Sequence, residues 1–351
     1  MCLSGDDVRG TKYVNASAAN LEAMGMASTP IRTPSEIKGA FPAGVATGAF
    51  DDRVGYHNST GGWGEAQRAI EVGLKRVRAL GGVIRAGAEA VAFQQTGKRV
   101  TGVVLKSGEV VPADLVLVAA GAWTPALLAS PAIHANLPPV VATGQVVCMI
   151  QLTPEEYAVQ SRCPVVFNLD NGFYIFPPTA DGIVKMAIHA AGYTCSTGPA
   201  KDGNRVSVPR TKLTPGAENG AIPVEAVRAI REFLGQHYPA LAYKPFVDTR
   251  LCWYCDTVTG DWLIDYHPAY DNLVLATGGS GHAFKFAPNI GREVLKIIER
   301  EPGNVFADRF SFSPSAPAGA DVRTGTLKEI VVGELCTPAD LRATPAVGAR
   351  L

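Results

Sequence analysis

DTRLCWYCDTVTGDWLIDYHPAYDNLVLATGGSGHAFKFAP, residues Asp248 to Pro288, sets three features in a row: a cysteine among aromatic residues, a short apolar run and a glycine-rich turn. Leu273 to Ala276 is the kind of unbroken apolar run that a buried strand needs. Thr277-Gly278-Gly279-Ser280-Gly281 ends it, where the backbone must turn sharply and approach something closely. From Asn289 to Glu299, Ile290, Val294, Ile297 and Ile298 recur at helical spacing. Strand, turn and helix in that order build a corner that faces an anion or a cofactor, because free N–H groups and the positive end of the helix dipole converge there.

The chain as a whole has 351 residues, enough to bury a large core as two domains or as one α/β domain with an inserted sheet. Its formal net charge is zero, so nothing electrostatic points to nucleic acid or an anionic membrane as a partner. No apolar run approaches the roughly 18 to 20 residues of a membrane-spanning helix. No basic segment followed by an apolar one opens the sequence, so no secretory leader is expected. Seven cysteines, an odd number spread over a long chain, read as reduced thiols inside a cell rather than a disulfide framework. No metal site is expected.

Working outward, residues 1 to 30 show a short helical pattern at Ala16 to Met24 and no opening strand. Thr33 to Ile37 resembles a helix start, followed by a loop to about Asp52. From Gly64 a helix is expected, with Ala66, Ile70, Leu74, Val77 and Leu80 on one face and Gly81-Gly82 as its stop. Short strands are expected at Val83 to Arg85 and Glu89 to Phe93, and a hairpin at Arg99 to Lys106 and Val110 to Pro112. Leu115 to Ala119 reads as a buried strand ending in a second glycine corner, Ala120-Gly121-Ala122-Trp123-Thr124-Pro125. The middle third, Pro138 to Pro245, has antiparallel character, with strands expected at Val146 to Gln151, Val165 to Leu169, Phe173 to Phe176, Ile183 to His189 and Asn204 to Val208. Pro223 to Leu234 reads as a helix, and Ser311 to Gly325 as an irregular excursion.

Cys252-Trp253-Tyr254-Cys255 has redox-motif spacing but precedes an apolar strand instead of opening a helix, which favours a small buried hydrophobe over a dithiol centre. Lys185 and His189, four apart in one expected strand, share a sheet face. Burying that lysine without a partner would cost several kcal/mol or a large pKa depression. A solvent-exposed strand end is the other reading.

The block RLCWYCDT…WLIDYHP…LVLATGGSGHAFKFAPNIG resembles the C-terminal signature of the FAD-dependent amine oxidases that include monomeric sarcosine oxidase, pipecolate and saccharopine oxidases, and fructosyl amino acid oxidases (amadoriases). The likeness extends upstream through DLVLVAAGAWTPALL, IQLTPEEY and NGFYIFPPTADGIVKMAIH. It implies an α/β fold in which residues 1–137 and 246–300 form a Rossmann-like FAD-binding domain. An antiparallel substrate domain would lie at 138–245 and a tail at 301–351. By the same likeness, Cys252 matches the cysteine joined to flavin as a thioether, and Lys185 the lysine that promotes reaction with O₂. Tyr174 and His189 match residues lining the amine pocket, and Lys285 the lysine that holds the substrate carboxylate. Gly121, Trp123, Gly278, Gly279, Ser280, Gly281 and His282 match the cofactor-facing corners, the last five placing N–H groups near the flavin C2 carbonyl.

Two departures qualify the likeness. The family opens with a βαβ unit carrying GxGxxG for the FAD pyrophosphate, and this sequence has none, nor the basic residue there that helps Lys285. A truncated, non-catalytic relative is therefore the competing expectation. Amadoriases carry an acidic residue before the proline where this chain has Phe176-Pro177, which tilts the expected substrate from glycated amino acids toward sarcosine, pipecolate or saccharopine. The implied protein is a monomer that acts on a small amino acid with O₂ and releases hydrogen peroxide. Its last residues, Ala349-Arg350-Leu351, resemble the C-terminal address read by the peroxisomal import receptor, with the cytosol as the alternative location.

Overall fold

Val140–Gln151, rich in β-branched residues, runs down the middle of the largest sheet. Asp248–Thr257 pairs with it antiparallel along ten residues, and Ile183–Ile188 pairs with its second half, also antiparallel. The computed structural model describes residues 1–5, 7–129, 139–197, 200–201, 204–315 and 323–342. Beyond Ile183–Ile188 the sheet continues through Phe173–Ile175, Val166–Asn168, Cys2–Ser4, Val54–His57 and Thr29–Ile31. Among these neighbours only Cys2–Ser4 against Val166–Asn168 is parallel. Lys328–Glu329 adds an edge beside Tyr193–Thr194.

Alternation along the strands gives the sheet two different faces. One carries Val146, Cys148, Ile150, Phe173, Ile175, Val184, Met186, Ile188 and Leu251, packed in a single core with Val227, Ile230 and Leu234 of the helix Val224–His237. Each such fully buried apolar side chain contributes about 1.5–3 kcal/mol relative to exposure. The opposite face carries Gln145, Tyr174, Lys185, Cys252 and Tyr254, since the register sets Tyr174 across from Ala187, Lys185 across from Met149, and Cys252 across from Gln145.

A second sheet joins Leu263–Tyr266, Leu273–Thr277 and Val116–Val118, the last two parallel, and a third joins Ala90–Thr96, Arg99–Leu105 and Val110–Pro112. Phe93, Val100, Val116, Val118, Leu273 and Leu275 form their shared core. Buried Asn272 ties the two sheets together: its Nδ2 donates to the carbonyls of Val100 and Asp114, both at 2.7 Å, and its Oδ1 accepts from the Val100 amide at 2.9 Å. The helix Ile290–Ile298 covers Ile264 from the other side.

The mixed α/β architecture, the hairpin, both apolar strands and the middle-third strands match the sequence reading, with bounds shifted by a few residues, except that Leu115 and Leu117 of the strand read as buried are exposed. Four points differ. Cys2–Ser4 is a strand although no opening strand is legible, because its partners lie far along the chain. Val83 to Arg85 is not a strand: Val83 is 85% exposed, and Arg85 is held through its side chain by Glu109 at 2.7 Å. The glycine turn opens a single 3₁₀ turn, Ala283–Phe286, and the α-helix begins only at Ile290. The helix Ala66–Ala79 forms as its spacing predicts, yet buries none of its residues. Among the described residues no helix is long and apolar enough to cross a membrane, and the seven cysteines are free thiols.

Candidate functional site

The polar face of the large sheet and the glycine turn of the second sheet enclose a cavity of about 850 Å³. Phe167, Tyr174, Phe176, His189 and Tyr254 form its sheet-side wall, and Ser280, Gly281, His282 and Lys285 the turn side. Thr257 to Asp261, Tyr13 and Arg323 complete the rim.

The turn is built to lie against the sheet. Gly281 has φ +77°, and a Cβ there would stand 2.4 Å from the Tyr254 ring, so only glycine permits this approach. The Ser280 amide donates to the Cys255 carbonyl at 3.0 Å, and the Thr257 amide donates to Ser280 Oγ at 3.3 Å, which stitches the turn to the strand Asp248–Thr257. Thr277 Oγ1 lies 3.2 Å from Thr124 Oγ1 and donates to the Gly121 carbonyl, so the two glycine corners of the sequence meet. His282 Nε2 sits 2.7 Å from the Gly260 carbonyl.

The two tyrosines of the sheet-side wall, Tyr174 and Tyr254, are uncharged at neutral pH. Burial, with the hydroxyl of Tyr254 as hydrogen-bond partner, pushes the Tyr174 phenol well above the ordinary tyrosine range. Burial raises Tyr254 as well. Lys185 lies behind this wall, its Nζ 4.8 Å from the centre of the Phe176 ring. Desolvation pulls its pKa down, opposed by the nearby Cys252 thiol. At the far end of the strand, buried Asp256 accepts from Thr143 Oγ1 at 2.5 Å and from Arg323 Nη1 at 2.6 Å.

Six of the residues singled out in the sequence therefore line one cavity: Tyr174, His189, Ser280, Gly281, His282 and Lys285. Lys185 and half-buried Cys252 share the sheet face with them without lining it. Gly278 and Gly279 shape the turn from within, and Gly121 and half-exposed Trp123 stand at the adjoining corner. Tyr254, Phe167, Tyr13 and Arg323 were not singled out. Tyr254 shares the face of Cys252, two residues earlier, once pairing makes Asp248–Thr257 a strand. Tyr13 and Arg323 reach the cavity from a helix and a distant segment and carry no local signal.

A turn with three glycines pressed against the Tyr254 ring, with the Cys252 thiol on the adjoining strand, leaves room for the flat ring system of a flavin. Comparison with known proteins agrees. The FAD dependent oxidoreductase model (DAO) matches residues 7–297. The chain is 36% identical to L-saccharopine oxidase of Schizosaccharomyces pombe over 196 residues, which cover 55% of this chain and 43% of that protein. It is 27% identical to human peroxisomal sarcosine oxidase over 254 residues, 70% of this chain and 58% of that one. Its fold is similar to that of the deglycating fructosamine oxidase amadoriase II of Aspergillus fumigatus, with a TM-score of 0.75, 26% identity and coverage of 93% and 74%. The chain thus spans about two fifths to three fifths of the length of these curated relatives.

Proposed function

This chain belongs to the family of FAD-dependent oxidoreductases, and from that premise we propose that it oxidises an amino acid bearing a secondary amine, of the sarcosine, pipecolate or saccharopine kind. The observation that carries the reading is the convergence of Lys285, His189 and the Tyr174–Tyr254 pair on one cavity bounded by the glycine turn. When bound, FAD supplies the two-electron acceptor for the C–H bond beside nitrogen, and O₂ takes those electrons and two protons to leave as hydrogen peroxide. Water then hydrolyses the imine.

The residues of the chain supply position and charge. The turn Gly278 to His282 would hold the ring system beside the Cys252 thiol, the residue that would anchor it. Lys285 binds the substrate carboxylate as a point charge. Tyr174 and Tyr254 stay protonated at working pH, so that wall adds no negative charge beside the amine. Lys185 is the cation that favours reduction of O₂. The domain division expected from the sequence belongs to this reading, with the substrate sheet also taking Cys2–Ser4, Val54–His57 and Asp248–Thr257. So does a peroxisomal location, supported by Ala349-Arg350-Leu351, which lies outside the described residues, and by the name of the human relative.

A fructosyl amino acid oxidase is the second reading, favoured by the likeness to amadoriase II. Phe176 before Pro177, on the cavity wall, speaks for the first. Anaerobic mixing of the flavin-loaded protein with sarcosine, pipecolate, saccharopine and a fructosyl amino acid decides between them. Bleaching by one of the first three is expected, bleaching by the fructosyl compound alone selects the second reading, and no bleaching by any amine leaves a non-catalytic relative. Cys252→Ala is expected to release yellow colour on denaturation and gel filtration, where the native sequence retains it.

A further inference from the structure

Resting on that reading, we propose that the cavity selects amino acids whose side chain is an aromatic ring. The rings of His189, Phe167, Tyr174 and Phe176 form an unbroken row. Their centroids are 5.9, 5.7 and 5.5 Å apart at interplanar angles of 85°, 69° and 86°, and Trp63 extends the row at 6.4 Å. These are favourable edge-to-face spacings, so each ring's orientation is set by its neighbours before a ligand arrives, which lowers the ordering cost of binding.

Charge is distributed to match. Of the cationic lysine and arginine side chains in the lining, Lys285 follows the turn, and Arg323, on the rim, pairs with Asp256 near the end of the strand Asp248–Thr257. At the aromatic end, Phe176 lines the cavity, whereas Lys185, its Nζ 4.8 Å from the centre of that ring, does not. The one carboxylate among the lining residues, Asp261, already accepts from Arg309 Nε at 2.8 Å. A planar apolar group entering at the aromatic end finds a preformed row of rings. An N-methyl amino acid with an aromatic side chain satisfies both ends, its carboxylate on Lys285 and its ring among Phe167, Tyr174 and Phe176.

The test pairs two acids that cannot be oxidised, 3-phenylpropanoate and acetate, titrated into the flavin-loaded protein by calorimetry. Phenylpropanoate should bind at least tenfold more tightly, and Phe176→Ala should shrink that ratio at least fivefold. Phe176→Leu, which keeps apolar volume without a ring, should shrink it in the same direction and covers the case in which alanine disturbs folding. N-methyl-L-phenylalanine should bleach the flavin with a higher kcat/KM than sarcosine. Equal affinity for the two acids, or a preference for sarcosine, overturns the proposal while leaving the oxidase reading intact. Selective binding of phenylpropanoate with no amine bleaching the flavin keeps the aromatic-acid site and removes the oxidase reading.

Discussion

Lys185 shows how one side chain depends on two strands. It sits on the polar face by alternation, its ammonium over the Phe176 ring, with desolvation working against its charge and the Cys252 side favouring it. A cation held there at the cost of desolvation stabilises negative charge better than a solvated one. Lys185→Met is expected to slow reoxidation by O₂ at least about 100-fold while flavin reduction by amine changes less than about tenfold. Stopped-flow measurement of the two half-reactions checks this, and equal slowing of both would make the lysine structural. Tyr174 gives a pH prediction of known sign. Because burial raises its pKa, the phenol stays neutral through the ordinary tyrosine range, so the rate of flavin reduction should show no loss from its ionisation below about pH 10. An alkaline limb below that pH that disappears in Tyr174→Phe would contradict it.

At the scale of elements, the glycine turn is the joint between the two halves of the site. Its fit depends on Gly281, where an added Cβ meets the Tyr254 ring and the left-handed backbone is costly for any L side chain. Gly281→Ala should therefore lose at least about 1–2 kcal/mol for the backbone alone, and it should also displace Tyr254. Gly62→Ala, with nothing within 4 Å and no positive φ, is the matched control and should stay within about 0.5 kcal/mol. Denaturant midpoints compare the two directly, and equal midpoints would mean that the turn can yield.

At the scale of the molecule, the rear face of the large sheet is coupled to solution pH through His237. This residue ends the helix Val224–His237, lies against Phe173 at 4.9 Å and Phe50 at 5.7 Å, and is held through Nδ1 by the Phe233 carbonyl. Burial lowers its pKa from 6.5 to about 4. Between those values the unfolded chain carries a proton that the folded chain refuses, so stability falls as pH drops through that window. A shift of this size corresponds to roughly 3 kcal/mol, reached when pH approaches 4. His237→Gln should flatten this slope in urea midpoints measured from pH 7 to 4.5, and an unchanged slope would assign it to other groups. The location of the whole protein is tested by fusing Pro345 to Leu351 to a fluorescent reporter. Punctate signal lost on deleting Leu351 is expected, and diffuse signal in both would refute a peroxisomal address.

The residues alone were enough for the apolar strands and the two glycine corners, because each rests on local rules of spacing and backbone freedom, while the α/β class came with the family likeness. They also carried the family likeness, since its motifs follow one another in order along the chain. What they left open was tertiary in origin. Cys2–Ser4 is a strand only because Val54–His57 and Val166–Asn168 flank it. Asp248–Thr257 is too mixed in composition to read as a strand, and becomes one by pairing with Val140–Gln151 along its length. That pairing sets Cys252 and Tyr254 on the same face as Tyr174 and Lys185. Tyr13 and Arg323 join the cavity from opposite ends of the chain, and no local pattern could bring them there, because their place depends on how the sheet, the turn and the C-terminal segment pack together.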